Sequence, residues 1–379
     1  MLAYIARRLL LLPVIVLGVT VLIFLMLQLL SPYARLALYI QDPAQLKDPT
    51  QLERLIELHG LNDPVLLPFT HRPIEIPLGF TTLKIPGDPD CGSICYCHCR
   101  PQYFRWLGEV FRGNLGWSET DKMPVLNALV SRFPATLELA IFAILPLVLI
   151  GVLLGVLAAV YHNRPLDHVT RILSIMGYAF PTFVFGLLML MLFYGKLGWF
   201  APERLSQWAS DIVQNPKLFT RFTGLNTLDA LLNGRWDIFL DALSHIVLPV
   251  LTLSYVSWAL IVRITRSSML ETLRQEYVTV ARAKGQRELI VILKHACRNA
   301  LIPVATISGL SFVGLLNGVV ITETIFNYRG LGKFAADAAY NLDIPSVLGF
   351  TLFSTTVLVV MNLLVDLLYA WIDPRVRLE

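Results

Sequence analysis

The sequence predicts an all-α, polytopic membrane protein with six transmembrane helices. Of its 379 residues, 55% are hydrophobic and only 15% are charged, whereas about 25% of the residues of an ordinary soluble domain are charged. A hydrocarbon core of roughly 30 Å is crossed by about 20 apolar residues in a helix, and six uncharged runs approach or exceed that length. The runs cover approximately residues 9–30, 139–160, 172–194, 246–262, 300–322 and 344–365.

The first run raises one alternative, a secretory signal peptide, because Arg7 and Arg8 precede it. The run is longer than a signal core of about 7–15 residues. It ends in Leu-Leu-Ser-Pro, without the small-x-small pattern of a cleavage site. We therefore expect a retained first transmembrane helix.

Lysine and arginine are concentrated in alternate loops, and this sets the predicted orientation. The two ends, the segment between runs two and three and the segment between runs four and five hold 14 of the 31 lysines and arginines. Such loops stay in the cytoplasm. We therefore expect both termini inside and segments 31–134, 196–243 and 323–343 outside. The net charge of +4 follows from these loops and requires no nucleic-acid partner.

The chain then divides into an N-terminal segment with the first helix (1–30), a long extracytoplasmic loop (31–134) and a core with five transmembrane helices (135–379). Within the long loop, residues 48–60 predict a polar helix that Gly60 ends. Residues 64–89 are rich in proline and predict irregular structure.

Four cysteines and a histidine follow within nine residues. Two disulfides suit an oxidising compartment and a loop with little apolar material. A zinc or iron–sulfur site is the alternative, since these metals prefer thiolate ligands. The spacing matches neither a zinc ribbon nor a common cluster motif, and residues two apart are poorly placed to bridge each other. We predict that the cysteines are oxidised, which free-thiol labelling without reductant and a metal assay would check. The residues concerned are Cys91, Cys95, Cys97, His98 and Cys99.

The cytoplasmic loop 267–299 has the pattern of two short amphipathic helices separated by Gly285. The first starts at Ser268 and the second runs from Arg287 to Asn299. An interfacial position on the lipid and a docking surface for a cytoplasmic protein both fit such helices. Cys297 is expected to be a small buried apolar residue. The apolar stripe expected on the first helix consists of Leu270, Leu273, Tyr277, Val280 or Ala281, and Lys284.

This loop resembles the cytoplasmic signature of ATP-binding-cassette importer permeases, specifically the subfamily that handles dipeptides, oligopeptides and nickel. The signature reads approximately Asp/Glu-Tyr-x-x-x-Ala-Arg-Ala-Lys-Gly, then His-Ala-Leu-Arg-Asn-Ala-Leu-Ile-Pro. This chain has Glu-Tyr-Val-Thr-Val-Ala-Arg-Ala-Lys-Gly at 276–285 and His-Ala-Cys-Arg-Asn-Ala-Leu-Ile-Pro at 295–303. It departs from the general importer motif at 279–281, where Thr-Val-Ala replaces Glu-Ala-Ala as is typical of the peptide subfamily, and at Cys297, where leucine is usual.

The resemblance covers most of the chain. It includes Arg7-Arg8, the opening of the second run at 133–139, the stretch 263–271, the segments 322–326 and 330–332, and the ending 362–375. Residues of about 66–101, with the cysteine run, resemble an insertion that the family pattern does not explain.

The resemblance implies a type I ABC importer permease fold, a second homologous permease, two ATPase subunits that bind ATP and magnesium, and an extracytoplasmic solute-binding protein. The permease itself would carry no cofactor. Peptides are the solute that the motif variant favours, with nickel complexes or oligosaccharides as alternatives. The helix ending at Gly285 would couple the permease to an ATPase. The coupling residues would be Glu276, Tyr277, Thr279, Ala281, Arg282, Ala283, Lys284 and Gly285.

Motif content argues against an enzyme, because G-x-x-x-x-G-K-[ST], H-E-x-x-H and G-x-S-x-G are absent from the sequence. An ion-coupled secondary transporter is the remaining rival, but such proteins need ionisable groups near mid-membrane. Glu138, Glu323 and Asp366 lie at the ends of the apolar runs. Asn317 and Asn362 lie within them and fit interhelical hydrogen bonds or the translocation path. Glu323 fits either a contact with the binding protein or a cap of the fifth run, and we assign Asn317, Glu323 and Asn362 as candidate pathway residues.

Overall fold

The computed structural model describes residues 2–30, 102–316 and 319–372, and between them the pieces 35–36, 38–39, 55–56, 61, 74–78 and 81–85. The described residues are mostly helical, as the sequence predicts. The helices are α1 (Leu2–Leu27), α2 (Gln102–Phe111), α3 (Val125–Val160), α4 (Pro165–Ala179), α5 (Thr182–Met189, with a π-helical continuation Leu190–Lys196), α6 (Gln207–Gln214), α7 (Asn226–Leu232), α8 (Trp236–Thr272), α9 (Glu276–Ala283), α10 (Glu288–Ala300), α11 (Ile302–Leu316), α12 (Val320–Ile325), α13 (Leu331–Tyr340) and α14 (Ile344–Ile372). The strands are β1 (Ile74–Leu78), β2 (Thr81–Ile85), β3 (Trp117–Ser118) and β4 (Met123–Pro124).

Six helical elements contain the six apolar runs. Helices α3, α8 and α14 are each long and apolar enough to cross a membrane. The pairs α4–α5 and α10–α11 pass the same test only when each bent pair is taken together, and α1 contributes the shorter apolar stretch Pro13–Leu27. By length and composition the described helices thus give three spans, or up to five if each pair is one span. With α1 added, this arrangement is compatible with six spans.

The third run is not the single helix that the sequence predicts. Helix α4 ends at Ala179, α5 begins at Thr182, and their axes differ by 103°. The break has a local cause, because the residue before a proline is forced away from helical backbone angles. Phe180 precedes Pro181 and has an extended backbone, with φ −80° and ψ 125°.

The start of the fifth run is also bent, by 56° between α10 and α11. Pro303 is the second residue of α11 and cannot donate a backbone hydrogen bond to the preceding turn. The run extends to residue 322 in the sequence, but α11 ends at Leu316 and a short helix, α12, follows.

Helices α3 and α8 approach each other closely through glycine. A Cβ atom at Gly151 would lie 2.6 Å from Ile261 Cγ2, and one at Gly155 would lie 2.5 Å from Thr265 Cβ. Small residues four apart let two membrane helices bring their backbones together, where van der Waals contact is greatest. The contact therefore makes α3 and α8 a tightly packed pair.

The proline-rich stretch 64–89 is not entirely irregular, contrary to the prediction. Strands β1 and β2 form an antiparallel hairpin within it, with Ile74 opposite Ile85 and Pro77 opposite Thr82. In a two-stranded sheet both strands are edges, so a proline can be accommodated where no ladder hydrogen bond is needed. The helix predicted at 48–60 falls mostly outside the described residues, and the run Cys91–Cys99 lies wholly outside them.

The chain forms two compact units. One contains Met1–Val14, Val130–Asp337 and Phe353–Glu379, and the other contains Ile15–Leu129 and Ala338–Leu352. In the second unit, Asp343 accepts hydrogen bonds from the hydroxyls of Ser118, Thr120 and Ser346, at 3.0, 2.9 and 2.7 Å. Burial alone would raise the pKa of Asp343, but these bonds and those from backbone amides outweigh it and leave that pKa below its usual value.

Candidate functional site

The predicted coupling helix is α9, and it is shorter than the sequence indicates. Helix α8 ends at Thr272, and α9 starts only at Glu276 after a turn. The predicted apolar stripe from Leu270 to Lys284 is therefore wrong as a single face. Leu270 belongs to α8, while Tyr277 and Val280 are exposed. The turn at 273–275 rotates α9 relative to α8, which the heptad-like spacing alone does not reveal.

The buried side of α9 consists of Val278 and Ala281, which are 0% and 5% exposed. They pack on Val291 of α10 and on Leu273. Positions i and i+3 lie on the same face of a helix, so these two residues let the short helix pack along one side on its neighbour. Helix α9 is thus attached along its length to the start of α10.

Gly285 ends the helix as predicted, and its conformation explains why glycine stands there. Its φ is +71°, in the left-handed region that glycine adopts without steric cost. The amide of Gly285 donates to the carbonyl of Arg282, and that of Gln286 donates to the carbonyl of Ala281. The chain then reverses, so that α9 and α10 form a helical hairpin.

Three side-chain pairs fasten this hairpin. Arg282 Nη2 donates to Glu288 Oε1 at 2.7 Å, and this hydrogen bond raises the pKa of the arginine. His295 Nε2 lies 2.8 Å from Gln286 Oε1, and Asn299 Nδ2 donates to the hydroxyl of Tyr277 at 2.8 Å. Tyr277 and Arg282 are both predicted coupling residues, but the sequence does not indicate their partners. Their spacing in the signature was the only available signal, because the pairs Tyr277–Asn299 and Arg282–Glu288 each span the left-handed turn at Gly285.

The opposite face of the hairpin carries exposed apolar side chains. Val280 on α9 and Leu289 and Leu293 on α10 are 52%, 67% and 59% exposed. Arg287 and Lys294 are exposed as well, and so are all the predicted coupling residues except Ala281. A mixed apolar and basic face of this kind can bind another protein or lie against lipid headgroups.

The hairpin is connected to the ends of the long helices. Cys297 is buried as predicted, and its thiol lies 3.8 Å from Met269 Sδ of α8. Ala296 and Ala300 of α10 pack in the same cluster with Ala159 of α3. The hairpin is therefore packed directly on the ends of α3 and α8.

A buried ion pair holds the loop between α3 and α4 to α8. Asp167, 0% exposed, accepts two hydrogen bonds from Arg266, with Nε at 2.8 Å and Nη2 at 2.9 Å. The amide of Asn163 donates to the same carboxylate at 3.0 Å, and Arg171 lies 3.6 Å away. The bidentate geometry is the strongest that an arginine offers a carboxylate. It fixes the start of α4 against α8 close to the hairpin.

Of the three candidate pathway residues, Glu323 has the best-defined surroundings. It lies in α12, is fully buried, and accepts a 2.7 Å hydrogen bond from the Thr136 hydroxyl and a 2.8 Å bond from the amide of Lys333 in the first turn of α13. A Cβ atom at Gly330 would lie 2.5 Å from its carboxylate. Burial raises the pKa of Glu323 above its usual value. These contacts cap the start of α13 and not the fifth run, and the pathway role of Glu323 stays a prediction.

The two asparagines are less informative. Asn317 lies outside the described residues, and Asn362 is half-buried on α14. Their pathway assignment stays a prediction. Among the described residues, no three His, Cys, Asp or Glu side chains are grouped so as to hold a metal ion.

Sequence reasoning missed a second buried acidic cluster, around Glu138. Its Oε2 accepts hydrogen bonds from Arg204 at 2.7 Å and from the Tyr328 hydroxyl at 3.0 Å, and its Oε1 accepts from the amide and hydroxyl of Thr227, both at 2.8 Å. Arg204 and Thr227 belong to the segment between α5 and α8, whose own apolar core includes Ala209. Glu138 therefore anchors that segment to α3. A glutamate near the end of an apolar run was the only signal in the sequence.

The chain is similar to known proteins along most of its length. A family model described as binding-protein-dependent transport system inner membrane component matches residues 151–378. The chain is 44% identical over 276 residues to the probable D,D-dipeptide transport system permease protein DdpB of Escherichia coli K12, covering 73% of this chain and 79% of that protein. It is 32% identical over 382 residues to the dipeptide transport system permease protein DppB of Alkalihalophilus pseudofirmus, and 33% identical over 378 residues to the oligopeptide transport system permease protein AppB of Bacillus subtilis. Both of these alignments cover the whole of the two chains compared.

Proposed function

This chain belongs to the family of binding-protein-dependent transport system inner membrane components, and from that premise we propose that it is a permease subunit that forms half of an ATP-driven import pathway for peptides. It is a multi-pass membrane protein and a transport subunit of a peptide ABC system by its relatives. Its partners, its energy source and its orientation in the membrane are proposed below.

Peptides are the proposed solute because three similar permeases are named as components of peptide transport systems. These are a D,D-dipeptide, a dipeptide and an oligopeptide system. This agrees with the Thr-Val-Ala variant at 279–281. Nickel complexes and oligosaccharides remain the alternatives within the same class. The solute-binding protein selects the solute in this proposal, and the permease passes what it delivers.

The observation that carries the coupling role is the hairpin of α9 and α10. One face is packed against the ends of α3 and α8, and the other presents exposed apolar side chains such as Val280 and Leu293. A helical hairpin fixed to two spans is suited to convert a rigid-body movement of a bound protein into a movement of those spans. The occupant of the exposed face would be an ATPase subunit that binds ATP and magnesium, one for each permease.

The proposed assembly therefore contains this chain, a second homologous permease, two ATPases in the cytoplasm and a binding protein outside. Both termini and the hairpin lie in the cytoplasm, and the segment between α5 and α8 lies outside, in agreement with the distribution of lysine and arginine. The chain itself contributes no ATPase site and no cofactor.

The test is capture of the tagged chain from gently solubilised membranes, with mass spectrometry of the bound proteins and an ATPase assay on the complex. We expect two nucleotide-binding proteins and a second permease, with hydrolysis stimulated by a solute-binding protein loaded with peptide. Recovery of the chain alone, or only as a homo-oligomer without ATPase activity, would reject the importer. An ion-coupled secondary transporter would then be the better hypothesis, to be tested by uptake driven by an ion gradient.

A further inference from the structure

A cavity of about 480 Å³ lies among α3, α5, α8, α11 and α12, all within the first compact unit. Its volume falls within the range of roughly 300–1,000 Å³ that is usual for small-molecule sites. Its walls include aliphatic side chains such as Leu147 and Leu315. Four hydroxyl groups also line it, those of Thr182, Ser257, Ser311 and Thr322.

The Thr322 hydroxyl is the observation that points to a ligand. Thr322 is 1% exposed, and its Oγ1 has no hydrogen-bonding partner among the described residues. Buried hydroxyls are nearly always paired, so an unpaired one needs an explanation. The hydroxyls of Thr182, Ser257 and Ser311 also make no hydrogen bond within the part of the chain that the structure describes. The cavity wall therefore contains four unpaired hydroxyls, of which that of Thr322 is covered in this conformation.

The cavity lies where the helices are interrupted. Thr182 is the first residue of α5, directly after the 103° break at Pro181. Thr322 lies in the short helix α12 that follows the end of α11. Ser257 lies near the middle of the 37-residue helix α8. Broken helices and polar groups near mid-membrane are the features by which transporters expose backbone and side chains to their substrates.

The chemistry of the lining selects a class of ligand. A hydroxyl both donates and accepts a hydrogen bond, so it can pair with either the N–H or the C=O of a peptide group. No charged side chain lines the cavity among the described residues. Such a lining contributes hydrogen bonds to the main chain while leaving the charge of a substrate side chain unrecognised.

From these observations we propose that this cavity is a segment of the translocation pathway that binds the main-chain amide of a peptide in transit through the hydroxyls of Thr182, Ser257, Ser311 and Thr322. The inference rests on the proposed import of peptides and adds the place and the chemistry of contact. It assigns residues other than Asn317, Glu323 and Asn362.

Gly314 gives a direct steric test, because it lines the cavity and a Cβ atom there would meet nothing within 4 Å. In the complete transporter reconstituted in liposomes, Gly314→Leu should lower uptake of a labelled dipeptide at least about tenfold. ATP hydrolysis stimulated by the loaded binding protein should persist, because α9 and α10 are untouched. Gly18→Leu, at an exposed position of α1 with equally open space, is the control and should transport within about twofold of the unmodified protein.

Thr322→Val provides the second test, since valine has a similar shape and lacks the hydroxyl. Because Oγ1 has no partner in the described protein, the melting temperature should be unchanged or higher. Loss of one substrate hydrogen bond should lower uptake by about threefold to tenfold.

The cavity assignment and the import of peptides can fail separately in these experiments. Normal uptake by Gly314→Leu or by Thr322→Val would overturn the cavity assignment while leaving the importer intact. If the unmodified complex hydrolyses ATP but moves no peptide, the proposed substrate is wrong, and the cavity assignment falls with it.

Discussion

At the scale of single residues, the conformation of Gly285 explains why a glycine ends the coupling helix. The sequence predicts that it ends a helix, and the structure shows why: φ is +71° and the space around the missing Cβ is open. A side chain at this position would start in open space among the described residues. The constraint is the left-handed backbone, which costs an ordinary L-residue about 1–2 kcal/mol and a β-branched residue more.

We therefore expect Gly285→Val to uncouple the transporter and Gly285→Asn to preserve it, because asparagine tolerates the left-handed region. The measurement is the ratio of peptide taken up to ATP hydrolysed in reconstituted complexes. The valine variant should lose most of this ratio while still inserting and assembling, and the asparagine variant should stay within about twofold. Equal behaviour of the two would show that the left-handed turn is not what positions α9.

Ala281 gives a second prediction at this scale. It is 5% exposed and packs with Val278 against Val291. An aspartate there would bury a charge without a partner, at a cost of several kcal/mol, so α9 should detach from α10. We expect Ala281→Asp to abolish uptake while ATP hydrolysis continues, with the loop cleaved faster by protease than in Ala281→Ser. Normal transport by both Ala281→Asp and Gly285→Val would reject the coupling assignment.

At the scale of elements, the apolar runs predicted where helices form, but not how far they extend or where they break. Helix α8 extends ten residues before and ten after the predicted run 246–262, since polar residues at both ends still make helical hydrogen bonds. The break at Pro181 lay within an uninterrupted apolar run, and hydrophobicity does not encode the backbone restriction that proline imposes. The pairing of Tyr277 with Asn299 and of Glu138 with Arg204 joins residues 22 and 66 apart in sequence, which periodicity cannot show.

The Glu138 cluster yields a prediction at this scale. Glu138 is 2% exposed, and Arg204 depends on it for charge neutralisation. Removing one partner of a buried pair costs about 3–5 kcal/mol, and the partial exposure of Arg204 places the expected value near the lower end. We expect Glu138→Gln to lower the melting temperature of the purified protein by several degrees and to expose the segment between α5 and α8 to protease.

Asp211→Asn, at an exposed site in α6, is the control and should change stability by no more than about 0.5 kcal/mol. Equal stability of the two variants would mean that Glu138 does not anchor the segment.

At the scale of the whole molecule, the open question is how many times the chain crosses the membrane, because a bent pair can be either a broken span or a re-entrant loop. The length of helix α8 determines where the segments at its two ends must lie. Its 37 residues measure about 55 Å at 1.5 Å per residue, well beyond the hydrocarbon core. The segment before α8 and the hairpin after it must therefore lie on opposite sides if α8 spans.

Cysteines placed in exposed positions, in a background without the five native cysteines, would resolve the rest. We expect a membrane-impermeant maleimide to label Lys217→Cys in intact cells, and to label Arg287→Cys and His162→Cys only after permeabilisation. The first two positions report on α8, and His162 with Lys217 reports on the bent pair α4–α5, which lies between them. Labelling of His162→Cys from outside, together with Lys217→Cys, would mean that α4–α5 is re-entrant. The predicted alternation of basic loops would then fail at the second loop, because Arg164 and Arg171 would face the outside.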